Sequence, residues 1–231
     1  MTSRPNTLQR PVPRRNAAAW RAWEVPVYVH APYLLNPSSI KPELRAKSRA
    51  ALMAQVNAAA QVGARGVVVH GGHPTGDGTT ADAVAGWVEV LSGWVPAVPV
   101  LIENTAGGAA GPARTLDGLR QLWAALGDLD TNVGFCLDTC HAHAGGLALD
   151  GLVDRLLPIV GRIDLVHPND SRDSFNSGRD RHANLGAGEI GLDAIVDVVA
   201  AANAPTVVET PGGPEAMAAD IAALRGRLAD R

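Results

Sequence analysis

The stretch Val133-Gly-Phe-Cys-Leu-Asp-Thr-Cys-His141 decides the fold. It begins as an apolar run and ends on two side chains of metal-ligand type, Asp138 and His141. A strand of a parallel barrel has this form, apolar along its length and chemical at its C-terminal end. Asp-x-x-His alone is a weak signal. It gains weight because five other strand-like stretches end the same way: Val25-Pro-Val-Tyr-Val-His30, Arg65-Gly-Val-Val-Val-His70, Val98-Pro-Val-Leu-Ile-Glu103, Ile163-Asp-Leu-Val-His167 and Thr206-Val-Val-Glu209.

Working outward, the polar ends His30, His70, Glu103, Asp138, His167 and Glu209 are 40, 33, 35, 29 and 42 residues apart, each about one β-α unit. Helices are predicted between them. One runs from Pro42 to about Val62 and is closed by Gly63. Others lie around Ala81–Leu91, Leu116–Leu126, Leu152–Val160, Leu192–Ala202 and Pro214–Leu228. Pro168 to about Gly188 reads as a long loop. The fold class is therefore α/β, a TIM-type (β/α) barrel that is incomplete, with about six recognisable parallel strands against the eight of a closed barrel. A doubly wound open sheet fits less well. The first strand lacks a Gly-x-Gly-x-x-Gly turn, and open sheets gather ligands at one switch point.

Residues 25–231 form a single metal-binding domain in this reading, preceded by a basic lead-in, residues 1–24. Residues 1–23 carry Arg4, Arg10, Arg14, Arg15 and Arg21 and no acid. Pro11–Pro13 reads as loop, and Asn16 to Trp23 as a short helix with Asn16 as N-cap. A solvated lead-in is favoured over an arm that grips phosphates. The 231 residues suffice for one core, and 46% hydrophobic content is ordinary for a globular chain. No apolar run reaches the ~18 residues of a membrane span, and no secretory h-region is seen. Cys136 and Cys140 are too close in sequence for a structural disulfide, so a cytoplasmic location is expected. A net charge of −3 leaves any attraction for DNA to a local positive field.

The convergent set is His30, His70, Glu103, Asp138, His141, His167, Asp180, His182 and Glu209, which takes five of the seven histidines. Imidazole and carboxylate without thiolate suit Zn²⁺ or Mn²⁺ in a hydrolytic site. Asp180-x-His182 places both side chains on one side of an extended backbone. Nine ligands exceed what one or two ions with open positions need, and three ions sharing carboxylates fit better. Each residue alone is more often a rim histidine or a salt-bridging acid; together, at one end of six strands, chance convergence is improbable. His73 and His143 fall outside the pattern and read as rim residues. Cys136 shares strand parity with Asp138 and reads as a small packing residue.

At these residues the sequence resembles the endonuclease IV family of apurinic/apyrimidinic (AP) endonucleases. The matching runs are Leu101-Ile-Glu-Asn-Thr-Ala-Gly107, Cys136-Leu-Asp-Thr-Cys-His-Ala142, Asp180-Arg-His182 and Asn184-Leu-Gly-Ala-Gly-Glu-Ile-Gly191. Val29-His-Ala-Pro-Tyr-Leu34, Val69-His-Gly-Gly-His73, Val166-His-Pro-Asn-Asp170 and Val208-Glu-Thr210 also match. The resemblance runs from about Ala18 to the C-terminus. It implies a tri-zinc phosphodiesterase on a xylose-isomerase-like barrel, with Mn²⁺ as an alternative at one position. It implies His30 and His70 on one ion, with Glu103 as the catalytic bridge to a second. Asp138, His167 and Glu209 would complete the second, and His141, Asp180 and His182 would hold the third. Tyr33 and Arg181 are implied as substrate contacts. The implied partner is double-stranded DNA with an abasic site, cut 5′ to the lesion to leave a 3′-hydroxyl. The lesion would be flipped into the barrel mouth, which is cheap without a base.

The family pattern begins with two strands and a helix that this sequence does not show. Three explanations compete: the sequence starts downstream of the true start, the barrel is open on one side and covered by a partner or a second copy, or residues 1–24 cap the gap; unpaired strand edges left uncovered would invite aggregation. Metal binding is expected to survive more readily than DNA specificity. Two alternatives are a sugar isomerase or epimerase of the same barrel superfamily, which would use fewer metals, and a non-catalytic metal- or DNA-binding remnant.

Overall fold

A computed structural model describes residues 21, 22 and 24–231. Five parallel strands form one sheet in sequential order: β1 (Tyr28–His30), β2 (Gly66–His70), β3 (Val100–Glu103), β4 (Val133–Asp138) and β5 (Leu165–His167). The helices α1 (Pro42–Val62), α2 (Thr80–Leu91), α3 (Leu116–Gly127), α5 (Leu152–Val160), α6 (Leu192–Ala202) and α7 (Gly213–Ala229) make the outer layer, each packed on the next. The result is a curled half-barrel, the incomplete (β/α) barrel that the strand spacing predicts.

Three helix boundaries, α1, α5 and α6, fall where the sequence places them. Gly63 closes α1 in the left-handed conformation at φ 74°. Arg21 donates to the carbonyls of Gln61 and Ala60 and satisfies the end of the same helix. The rest of the basic stretch, Arg4 to Arg15, and most of the Asn16–Trp23 helix lie outside the described residues.

Strand parity creates two cores. Val67, Val69, Val100, Ile102, Phe135, Leu137 and Val166 point outward and pack with helix residues such as Leu52, Trp87, Leu119 and Leu156. Val68, Leu101, Cys136 and Leu165 point inward and form a separate buried plug, joined by Tyr28. Cys136 is thus the packing residue that parity predicts. The space here is tight: a Cβ at Gly134 would lie 2.2 Å from Asp164 Oδ2. The plug is the floor under the ligands, because the next inward residues along β2, β3, β4 and β5 are His70, Glu103, Asp138 and His167.

Three expectations need correction. The sixth strand, Thr206–Glu209, is a single parallel bridge from Thr206 to Val166 and not a laddered strand. Pro205 and Pro211 flank it, and neither can donate to a ladder. The stretch after Pro168 is not all loop: β6 (Asp170–Ser171) pairs antiparallel with β7 (His182–Ala183). A helix that the sequence reading lacked, α4 (Thr139–Gly145), starts directly from the end of β4.

Candidate metal centre

The ladder does half the work of assembling the site. His70 pairs in register with Glu103, and Asp138 with His167, so each pair of ligands stands on adjacent strands at the sheet spacing of about 4.8 Å. Glu103 is fully buried, and nitrogens of four histidines surround it. His30 Nε2 lies 3.2 Å away, His70 Nε2 3.1 Å, His167 Nδ1 2.9 Å and His141 Nδ1 3.6 Å. His167 Nδ1 is also 3.3 Å from Glu209 Oε2.

The other half is built off the ladder. Asp138 caps α4, its Oδ1 accepting from His141 N at 2.8 Å, and so sets His141 one turn beyond itself. The β6–β7 hairpin presents Asp180 and His182. Asp180 Oδ1 is 3.1 Å from His141 Nε2 and 3.2 Å from His182 Nε2. His30–His70–Glu103 and Glu103–Asp138–His167–Glu209 are two groups whose donor atoms could hold one ion each. His141, Asp180 and His182 meet through Asp180 as a third set.

Three of the histidines are oriented as metal ligands would be. His30 Nδ1 contacts Ala31 O at 2.9 Å, His141 Nδ1 contacts Asn104 O at 3.0 Å and His182 Nδ1 contacts Glu209 O at 3.2 Å. A carbonyl only accepts, so each Nδ1 carries the proton and turns Nε2 toward the carboxylates. His182 Nε2 is buried with no hydrogen-bond partner of acceptable geometry, despite its 3.2 Å approach to Asp180. A buried nitrogen left without a hydrogen bond is costly, and a cation in front of it would remove the cost. The residues therefore fit a set of divalent ions.

The electrostatics agree. Burial works against the charged form of His30 and of His182. Carboxylates outweigh it, chiefly Glu103 for His30 and Asp180 for His182, and push both up to about 9. The same balance raises His141 and His167. Burial would raise Glu103 and Asp180, but bonds to histidines, led by His167 for Glu103 and His141 for Asp180, hold both carboxyls well below the usual range. Protons held on His30 and His182 in this way leave when a cation takes their Nε2. Cys140 reaches Asp138 and His182, yet burial and the Asp138 charge push its thiol up to about 12.

The remaining predicted residues are placed differently. Tyr33 is 75% exposed, with its ring 5.4 Å from that of His70. It rims a cavity of about 470 Å³ lined also by Asn36, Thr105, Gly107, His141 and Asp180. Arg181 points away from the ligands and forms a two-pronged ion pair with Asp173, through Nε at 2.6 Å and Nη2. His73 is an exposed rim residue. His143 contacts Asp173 O at 3.2 Å and stacks edge-on against Phe175, which props the hairpin loop. The sequence reading missed the polar residues that hold the ligands: Asn104, Asn169, Asp170, Asn184 and Asp220. Asn104 brackets Asp138, accepting from its N–H at 2.7 Å and donating to its carbonyl at 2.9 Å. Their one signal was adjacency, since three of the five stand inside motif runs that carry the ligand-type residues and Asn184 opens the run that follows His182.

Fold and site together define a (β/α)-barrel protein with a cluster of histidines and carboxylates of metal-ligand type at the C-terminal face of the sheet. Known proteins narrow this. Residues 9–227 match the family model described as xylose isomerase-like TIM barrel. Probable endonuclease 4 of Mycobacterium tuberculosis (strain ATCC 25177 / H37Ra) is 48% identical over 223 residues, 96% of this chain and 87% of that protein. The crystal structure of endonuclease IV from Thermus thermophilus superposes with a TM-score of 0.80 at 32% identity, covering 96% of this chain and 84% of that one. A D-tagatose 3-epimerase-like protein superposes with a TM-score of 0.76 at 22% identity, covering 93% and 81%, which shows the shared fold. The chain belongs to the endonuclease IV family.

Proposed function

We propose that this protein is a zinc-dependent DNA-repair endonuclease that hydrolyses the phosphodiester 5′ to an abasic site in double-stranded DNA and leaves a 3′-hydroxyl. The observation that carries this reading is the convergence of all nine donors on one face, with Glu103 at its centre. Membership of the endonuclease IV family supports it. Three ions are the proposed complement, in the groups His30–His70–Glu103, Glu103–Asp138–His167–Glu209 and His141–Asp180–His182. When bound, such ions supply Lewis acidity to a phosphodiester and a water acidic enough to attack phosphorus near neutral pH.

The chain's own residues do the rest. Glu103 bridges the first two groups and keeps their histidines aimed at one point. Tyr33 and the 67%-exposed Leu34 stand at the cavity mouth, where an extruded abasic nucleotide would enter. Arg181 keeps N–H donors beyond those used on Asp173, and these suit a backbone phosphate. The Asp180 group favours the nuclease over an isomerase, because enolisation does not need a third ion.

The test is a nicking assay on a duplex with one abasic site, beside metal analysis of the protein. Cleavage 5′ to the lesion, a 3′-hydroxyl product and about three zinc ions per chain are expected, with cleavage lost in Glu103→Ala. A folded, metal-replete protein that leaves such a duplex intact would overturn the reading.

A further inference from the structure

Glu209 poses a problem of support. It belongs to the same donor group as Glu103, Asp138 and His167, yet those three sit on laddered strands and Glu209 does not. Its segment meets the sheet through one bridge at Thr206, with Val207 N donating to Val166 O at 3.0 Å. Three residues further on, something else must fix the backbone of Glu209.

Asn169 does this. It is completely buried and follows β5 by two residues. Its Oδ1 accepts from Glu209 N at 2.9 Å, and its Nδ2 donates to Asp138 Oδ2 at 2.7 Å. The two contacts assign the amide without ambiguity, because an N–H only donates and an ionised carboxylate only accepts. Few side chains could replace it. Aspartate would face Asp138 with like charge, leucine would satisfy neither group, and glutamine is one methylene too long. Thr139 clamps residue 169 in turn: its Oγ1 accepts from Asn169 N at 2.9 Å and donates to Asn169 O at 2.6 Å.

We infer that Asn169 is the positioning residue of the metal centre, joining Asp138 and Glu209 into one group where the sheet ladder fails to reach. The inference rests on the proposed metal-dependent function but is tested apart from it. Because one amide holds both the Asp138 carboxylate and the Glu209 backbone N–H, its loss leaves Asp138 with its His141 N contact and Glu209 with its His182 contact, and removes the link between the two.

The experiment measures zinc affinity and stoichiometry by chelator competition on the full chain, with thermal unfolding of the metal-free form alongside. Asn169→Ala is expected to bind at least one ion tenfold or more weakly, within the 10- to 100-fold range usual for outer contacts of a metal site. Leu224→Ala, which removes a buried side chain on α7, serves as the control. It is expected to lower the unfolding temperature and leave zinc affinity within about twofold of wild type. Thr139→Val keeps the side-chain volume and removes the clamp, and is expected to weaken zinc at least threefold. It decides alone should Asn169→Ala not fold. Wild-type zinc affinity in the folded variants, while the wild-type protein binds zinc and nicks DNA, overturns the inference and leaves the function standing. A wild-type protein that binds no zinc overturns the function itself.

Discussion

The two halves of the site are held by different physics. His30, His70, Glu103 and His167 stand on strands whose register the backbone ladder sets. His141 stands at a helix start, His182 on a two-residue hairpin strand with Asp180 just before it, and Glu209 three residues beyond a single bridge. Buried polar side chains do the ladder's work there. Asp170 accepts from the N–H groups of Ser171, Gly186, Gly188, Ile190 and Gly191 at 2.8–3.3 Å. It thereby folds the 184–191 loop beside the β6–β7 hairpin. Asp220, on α7, accepts from Asn184 Nδ2 at 2.8 Å, from Leu185 N at 3.1 Å and from Thr210 Oγ1 at 2.5 Å. The difference teaches that the ladder alone sets the backbone of a strand-borne side chain, whereas an off-ladder one depends on individual polar groups; Asp138, at the end of its strand, is held by both.

The largest expected effect comes from the residue both halves share. Glu103→Ala removes the hub and should lower the nicking rate by roughly 10³-fold in a single-turnover assay, about 4 kcal/mol of barrier. A mild loss would mean that the two halves act independently. Next, Asp170→Ala removes the acceptor of five N–H groups, of which that of Ser171 is buried, and should cost about 3 kcal/mol of stability in denaturant titration, with weaker zinc binding. Val68→Ala in the inner plug should cost roughly 2 kcal/mol and leave zinc binding unchanged. If Val68→Ala disturbed zinc as much as Asp170→Ala, the contrast between the halves would collapse. Asp220→Ala loosens the same loop from the far side and should cost about 2 kcal/mol.

A pH dependence tests the same contrast by titration. His30 and His182 have folded values of about 9 against an ordinary 6.5. A raised value means that the stabilisation is fully present below pH 6.5 and lost as pH rises through 9. The unfolding temperature of the metal-free protein should therefore fall between pH 6.5 and 9. Metal-loaded protein should lack this slope, since the ions have already displaced those protons. An identical slope in both forms would separate the histidines from the metal.

Much of this was readable in the chain. The apolar runs ending on His70, Glu103, Asp138 and His167 are strands ending at one face because side-chain parity and the β-α spacing leave little choice. Helix α4 was hidden because Thr-Cys-His-Ala-His-Ala-Gly, residues 139–145, is short and has no apolar period. Its signals were Asp138 as N-cap and Gly146 as the left-handed C-cap. The β6–β7 hairpin was hidden for the same reason, since two-residue strands carry no pattern. No helix among the described residues is long and apolar enough to cross a membrane, in keeping with the sequence.

What the chain alone determined, then, is the set of histidines and carboxylates at the strand ends and the face on which they gather. Periodicity is local, and a β-α repeat propagates a local rule around the sheet. What only the tertiary structure decided is how Asp180, His182 and Glu209 are held beside them. That depends on Asn169, Asp170 and Asp220. Each is a lone polar residue whose partners lie up to 40 positions away, and no spacing rule encodes a contact that exists only after the chain has folded.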